Sequence, residues 1–111
     1  MSLSTHVLDL ASGRPAAGVA VTLEVRAPEG DWRQIAHGRS DADGRVGELA
    51  DDGLVAGTHR LTFEIGDYFS SQGIASFHPE AAVTFHVADP GEHYHVPLLV
   101  SPYGYTTYRG S

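Results

Sequence analysis

Val19-Ala20-Val21-Thr22-Leu23-Glu24-Val25-Arg26 decides the class of fold. Val19, Val21, Leu23 and Val25 fall on one side of an extended chain, and Ala20, Thr22, Glu24 and Arg26 on the other. A period of two marks a half-buried antiparallel strand, whereas a helix would need apolar residues three and four apart. The same rhythm recurs further along. Leu61, Phe63 and Ile65 alternate with Arg60, Thr62 and Glu64, and Val83, Phe85 and Val87 alternate with Thr84, His86 and Ala88. Residues 3–9 make a first strand and residues 32–40 a less regular one. Residues 94–101 and 104–108 form a hairpin closed by Ser101-Pro102-Tyr103-Gly104, with proline and glycine where a type I turn takes them. Turn signals separate these runs, among them Ser12-Gly13-Arg14-Pro15, Pro28-Glu29-Gly30-Asp31, Asp43-Gly44 and Asp89-Pro90-Gly91. One short helix fits over residues 68–72, capped by Asp67 and ended by Gly73. Seven or eight short strands with one helix read as an all-β two-sheet sandwich.

Length and charge narrow the possibilities. The 111 residues fit one domain, 1–111, and 41% are hydrophobic, enough for a packed core. Acidic residues number 14 against 7 basic ones, a formal net charge of −7. A nucleic-acid surface needs a basic footprint, and an anionic membrane surface attracts basic residues, so neither partner is expected. Absence of cysteine excludes thiol nucleophiles and thiolate-held zinc. All seven basic residues are arginines, so Schiff-base chemistry is excluded as well. No run reaches the roughly 18 apolar residues of a membrane span, and residues 1–6 show no signal-peptide pattern, so a cytoplasmic protein is expected.

Seven histidines stand out. In the strand over 94–101, Tyr94, Val96, Leu98 and Val100 form one apolar face. The other face carries His93, His95, Pro97, Leu99 and Ser101, too apolar for plain solvent exposure, which points to burial against another subunit or around a ligand. Pro97 lacks an N–H, which favours an edge strand or a bulge. With His6, the pair His93 and His95 could hold zinc and leave a position open for water. The plainer reading is one working imidazole and one exposed. Asp41-Ala42-Asp43-Gly44 looks like the start of a calcium loop, but Arg45 and Val46 take the fifth and sixth places. A tight turn that fixes Arg45 at the mouth of a strand fits better. His6 shares a strand face with Ser4 and Leu8. His37, His59, His78 and His86 show no partners and read as surface or packing residues. Tyr105-Thr106-Thr107-Tyr108-Arg109-Gly110-Ser111 is rich in aromatic and hydroxyl groups, and docking of this tail into a site or interface is expected.

Four stretches in order carry a resemblance over the whole chain: Leu3-Ser4-Thr5-His6-Val7-Leu8-Asp9, Asp43-Gly44-Arg45, His93-Tyr94-His95-Val96-Pro97-Leu98-Leu99 and Tyr108-Arg109-Gly110-Ser111. The sequence resembles the 5-hydroxyisourate hydrolase family, the transthyretin-related proteins. The resemblance implies a transthyretin-like sandwich of about eight strands with one short helix. It implies a homotetramer, a dimer of dimers, whose sites open into a channel between dimers. It implies a catalytic group of His6, Arg45, His95 and Ser111, with His6, Arg45 and Tyr108 binding substrate and no cofactor or metal. The reaction would be hydrolysis of 5-hydroxyisourate to 2-oxo-4-hydroxy-4-carboxy-5-ureidoimidazoline in urate degradation. One of His6 and His95 would activate water, and Arg45 would clamp the oxyanion or the substrate. Two other readings compete: a transthyretin-like carrier of a small ligand, and a zinc-dependent cyclic-amide hydrolase using His6, His93 and His95.

Overall fold

The computed structural model describes residues 2–47, 49–50 and 54–111. Nine strands and one helix are seen among them: β1 (Ser2–Asp9), β2 (Arg14–Pro15), β3 (Ala20–Arg26), β4 (Trp32–Arg39), β5 (Arg45–Val46), β6 (Gly57–Phe63), α1 (Ile65–Ser70), β7 (Ala81–Val87), β8 (His93–Ser101) and β9 (Gly104–Thr107). They form two sheets. One runs β4-β3-β6-β7, all antiparallel. The other runs β2-β1-β8-β9, with β5 also on β1. In this second sheet β1 and β8 pair in parallel along their length, so chain segments about 90 residues apart become neighbours.

The alternating faces seen in the sequence meet between the sheets. Leu3, Val7, Val21, Leu23, Leu61, Phe63, Leu98 and Val100 are fully buried there. Each such side chain contributes about 1.5–3 kcal/mol relative to exposure. The all-β sandwich expected from the sequence is therefore what forms.

Two local expectations need correction. Ile65 does not extend the strand that ends at Phe63; it opens the helix, with Glu64 at the cap position and no side-chain cap. The reason is packing. Ile65 and Phe69 lie one turn apart and both bury, so the chain coils as soon as the strand ends, and Asp67 falls within the first turn. Gly73 does close the helix. It adopts φ +73°, its N–H bonds Ser70 O, and the next N–H, of Ile74, bonds Phe69 O. Pro97, expected at an edge or bulge, sits in an interior strand between β1 and β9. The sheet accommodates it by a gap. Ladder pairing with β9 ends at Leu98–Thr107 and resumes in the same register at His95–Gly110. Between them the Thr107 hydroxyl donates to Pro97 O at 2.7 Å.

Candidate active site

Strand register assembles the polar cluster on the outer face of the β1–β8 sheet. Ser4 pairs with His95 and His6 with Pro97 across β1 and β8, while His6 pairs with Arg45 across β1 and β5. Leu3, Thr5 and Val7 point into the core and are buried. By alternation Ser4 and His6 project outward, on the face that carries His93 and His95. Three of the four catalytic candidates, His6, Arg45 and His95, are thus brought together from residues about 90 positions apart.

A tight turn fixes Arg45, as expected. The Asp41 carboxylate accepts the N–H groups of Asp43 at 2.9 Å and Arg45 at 3.0 Å. The Arg45 N–H, outweighing the opposing effect of burial and aided by the Asp43 N–H, holds the Asp41 carboxyl below its usual range. Gly44 has φ +78°, and a Cβ there would strike the Val7 carbonyl. Its own carbonyl accepts Val7 N–H at 2.7 Å. The turn also reaches His6, whose Nε2 lies 2.8 Å from Asp43 O. A carbonyl only accepts, so that nitrogen carries a proton, and neutral His6 keeps its lone pair on Nδ1.

His95 is held on two sides. Its Nδ1 lies 2.8 Å from Ser4 Oγ, and the same hydroxyl lies 3.2 Å from His93 Nε2. Gly110 donates its N–H to His95 O at 2.7 Å. Burial, then the positive charge of Arg45, then His6 and His93, push the His95 imidazole below its ordinary pKa of 6.5. His95 is therefore neutral at pH 7 and able to accept a proton.

The tail docks through backbone and Arg109. The Arg109 guanidinium pairs with Glu92 at 2.9 Å and lies 4.4 Å from the centre of the Tyr94 ring. Gly110 has no positive φ that would call for glycine. It is small because His95 lies against it: a Cβ there would come 2.6 Å from His95 Cδ2. Tyr108 is 59% exposed and lines a groove of about 300 Å³ with Val83, Phe85, Tyr94 and Val96. Ser111 is exposed, one residue beyond the bridge to His95. Among the described residues no hydrogen bond joins Tyr108 or Ser111 to His6, Arg45 or His95.

The zinc arrangement does not form. Among the described residues no three histidine, aspartate or glutamate side chains gather in a metal-holding group. His6 Nε2 and His93 Nε2 instead meet Asp43 O and Ser4 Oγ. Sequence reading passed over Ser4 and Asp41 as partners. Asp41 was open to recognition, since Asp-x-x-Gly places a side-chain acceptor at the start of a turn. Ser4 was not, because only the parallel β1–β8 pairing brings it to His95.

A family model described as HIUase/Transthyretin matches residues 3–110. The chain belongs to the HIUase/Transthyretin family. It is 48% identical over 110 residues to the 5-hydroxyisourate hydrolase of Salmonella dublin, covering 98% of this chain and 80% of that protein. Among solved structures it is similar to Klebsiella pneumoniae 5-hydroxyisourate hydrolase, with TM-score 0.89, 37% identity and full coverage of both chains. It is also similar to sea bream transthyretin in complex with thyroxine, with TM-score 0.93 and 35% identity, covering 99% of this chain and 95% of that one. The backbone fits enzyme and carrier alike, so side chains must separate them.

Proposed function

We propose that His95, His6 and Arg45 carry out the hydrolysis of 5-hydroxyisourate in this chain, with the tail completing the site. The activity itself follows from the relatives: the chain is a hydrolase of urate degradation, as are the 5-hydroxyisourate hydrolases it matches along nearly its whole length. The observation that carries the mechanism is strand register, which sets half-buried His95 on the same sheet face as His6 and its pair partner Arg45. A carrier channel needs no such group.

The reaction opens a ring by breaking an amide-type C–N bond. His95 takes a proton from water as the oxygen attacks the ring carbonyl, and the proton then passes to the leaving nitrogen. A positioned base of this kind is worth about 10²–10⁴ in rate. Arg45 faces the developing oxyanion, and one such donor contributes on the order of 3 kcal/mol. Its planar fork also suits a planar, carbonyl-rich heterocycle. His6, with Nδ1 free to accept a hydrogen bond, orients water or substrate. Tyr108 and Ser111 contribute from the tail, and no cofactor or metal takes part.

The working unit is a homotetramer, a dimer of dimers, acting in the cytoplasm. Support comes from Leu99 beside the histidines on the outer face, and from β7 and β9, each paired on one side only among the described residues, which the groove at Tyr108 separates. Among the described residues no helix is long and apolar enough to cross a membrane. The direct test generates 5-hydroxyisourate with urate oxidase and follows its ultraviolet decay. Faster decay on adding the protein is expected, and loss of that acceleration on His95→Ala. An unchanged decay rate with native protein rules the proposal out.

A further inference from the structure

Ser4 stands between two imidazoles, and its chemistry is restrictive. A hydroxyl has one proton to donate and lone pairs to accept with. It lies 2.8 Å from His95 Nδ1 and 3.2 Å from His93 Nε2. It can donate to at most one of them, so at least one imidazole must donate to it. Both can donate, with the Ser4 proton turned away, and His95 is then again the Nδ1–H tautomer. Two arrangements keep the Ser4 proton between the rings. In the first, His95 Nδ1–H donates to Ser4 Oγ, and the Ser4 proton goes to His93 Nε2. In the second, both bonds run the other way, and His95 Nδ1 spends its lone pair on Ser4.

We propose that Ser4 is the positioning residue for His95, holding it as the Nδ1–H tautomer by passing its own proton to His93. This inference rests on the reading of His95 as the base. In the second arrangement neutral His95 has no lone pair left for water. In the first, the lone pair stays on Nε2. When His95 takes up a proton, both its nitrogens become donors, and only the first arrangement still gives Nδ1–H an acceptor. Ser4 thus supports the resting tautomer and the charged intermediate in one geometry, as an orienting acceptor does behind a catalytic histidine. Backbone position makes this durable. Ser4 and His95 are register partners across β1 and β8, and the Gly110 main chain lies against the other side of the His95 ring. The charged or titratable groups facing His95 are Arg45 on β5, His6 on β1 and His93 on β8. All disfavour a positive imidazole, and a hydrogen bond to the Ser4 main chain opposes them; the Ser4 hydroxyl, 2.8 Å from Nδ1, gives the imidazolium a further acceptor.

The test compares Ser4→Ala, Ser4→Thr and His95→Ala in the full chain. Ser4→Ala should lower kcat by about tenfold to a hundredfold, a part of what a general base supplies, with KM nearly unchanged. The acid limb of its pH profile should move to lower pH, because the imidazolium has lost an acceptor. Ser4→Thr, which keeps a hydroxyl, should restore most of both. Long-range ¹H–¹⁵N spectra of the substrate-free native protein should show the His95 proton on Nδ1, and Ser4→Ala should mix the tautomers. A proton on Nε2 in the native protein, or a Ser4→Ala defect confined to KM with an unmoved pH limb, overturns the proposal. If His95→Ala keeps native turnover, the reading of the site falls instead. The nitrogen spectra then still decide, on their own, whether Ser4 holds the tautomer.

Discussion

Single side chains set the chemistry of the outer face, and their neighbours make them testable. Arg45, the proposed oxyanion clamp, is after burial the leading cause of the lowered His95 pKa. Arg45→Gln should therefore do two things: cut turnover by about two orders of magnitude and move the acid limb of kcat/KM to higher pH. The sign follows from removing a positive charge that disfavours imidazolium. A pH–rate profile of the variant checks it; a limb that stays put means Arg45 does not face His95. Gly110 is constrained by contact rather than by its own conformation. Gly110→Ala places a methyl against the His95 ring, so turnover should fall at least tenfold, through lost alignment, while the thermal midpoint barely moves. Equal loss of fold and activity would assign Gly110 to stability instead. His59 is a separate matter. It is completely buried, its Nε2 has no hydrogen-bond partner among the described residues, and its ring stacks on Phe85 at 5.7 Å. Burial holds it below the ordinary value of 6.5. The unfolded chain then binds the extra proton, so stability is complete above pH 6.5 and drops below it, by up to about 1.4 kcal/mol per pH unit. His59→Phe should flatten the fall in thermal midpoint between pH 7 and 5, measured by circular dichroism. An unchanged slope would place the acid sensitivity elsewhere.

Elements decide which of those side chains meet. β1 and β8 run in parallel, and that pairing makes a site from Ser4, His6 and His95. The tail is the element most open to test. β9 ends at Thr107, and its ladder to β8 lies wholly within Leu98–Ser101 and Gly104–Thr107. Deleting residues 108–111 should therefore leave the sandwich folded by circular dichroism while removing most turnover. Full activity after the deletion would confine the tail to a structural role. The legibility of these elements from sequence follows the physics of each. β3, β6, β7 and β8 were readable because each has one buried face, which imposes strict alternation. The start of α1 was not, because Ile65 continues the alternation of Leu61 and Phe63 and only its packing one turn from Phe69 makes it helical. The interior place of Pro97 was hidden because the gap opposite it depends on where β9 stops. His95 and the second face of its strand were visible in sequence. Their partners were not, since contacts between residues 4 and 95 depend on topology, which local pattern does not carry.

At the scale of the whole molecule, the question is why a site sits on an open sheet face at all. Catalysis of this kind gains from water exclusion and fixed dipoles, yet His6 is only half-buried and Arg45 exposed in the single chain. In the proposed tetramer a facing copy would supply the missing wall. The edges of β7 and β9 point the same way, because an unpaired edge is a standing invitation to another strand. Assembly then becomes part of catalysis, and activity should track it. Static light scattering is expected to give four times the 11.8 kDa chain mass at micromolar concentration. Each main contact should bury roughly 800 Å² or more per partner. Dilution below the dissociation range should lower specific activity in step with the loss of tetramer. Replacing Leu99, on the face of His95 but outside the hydrogen-bonded cluster, with glutamate should split the assembly. Its activity should fall although His6, Arg45 and His95 are all retained. A monomeric Leu99→Glu variant with native kcat would show instead that one chain closes its own site, and the outer face would need no partner.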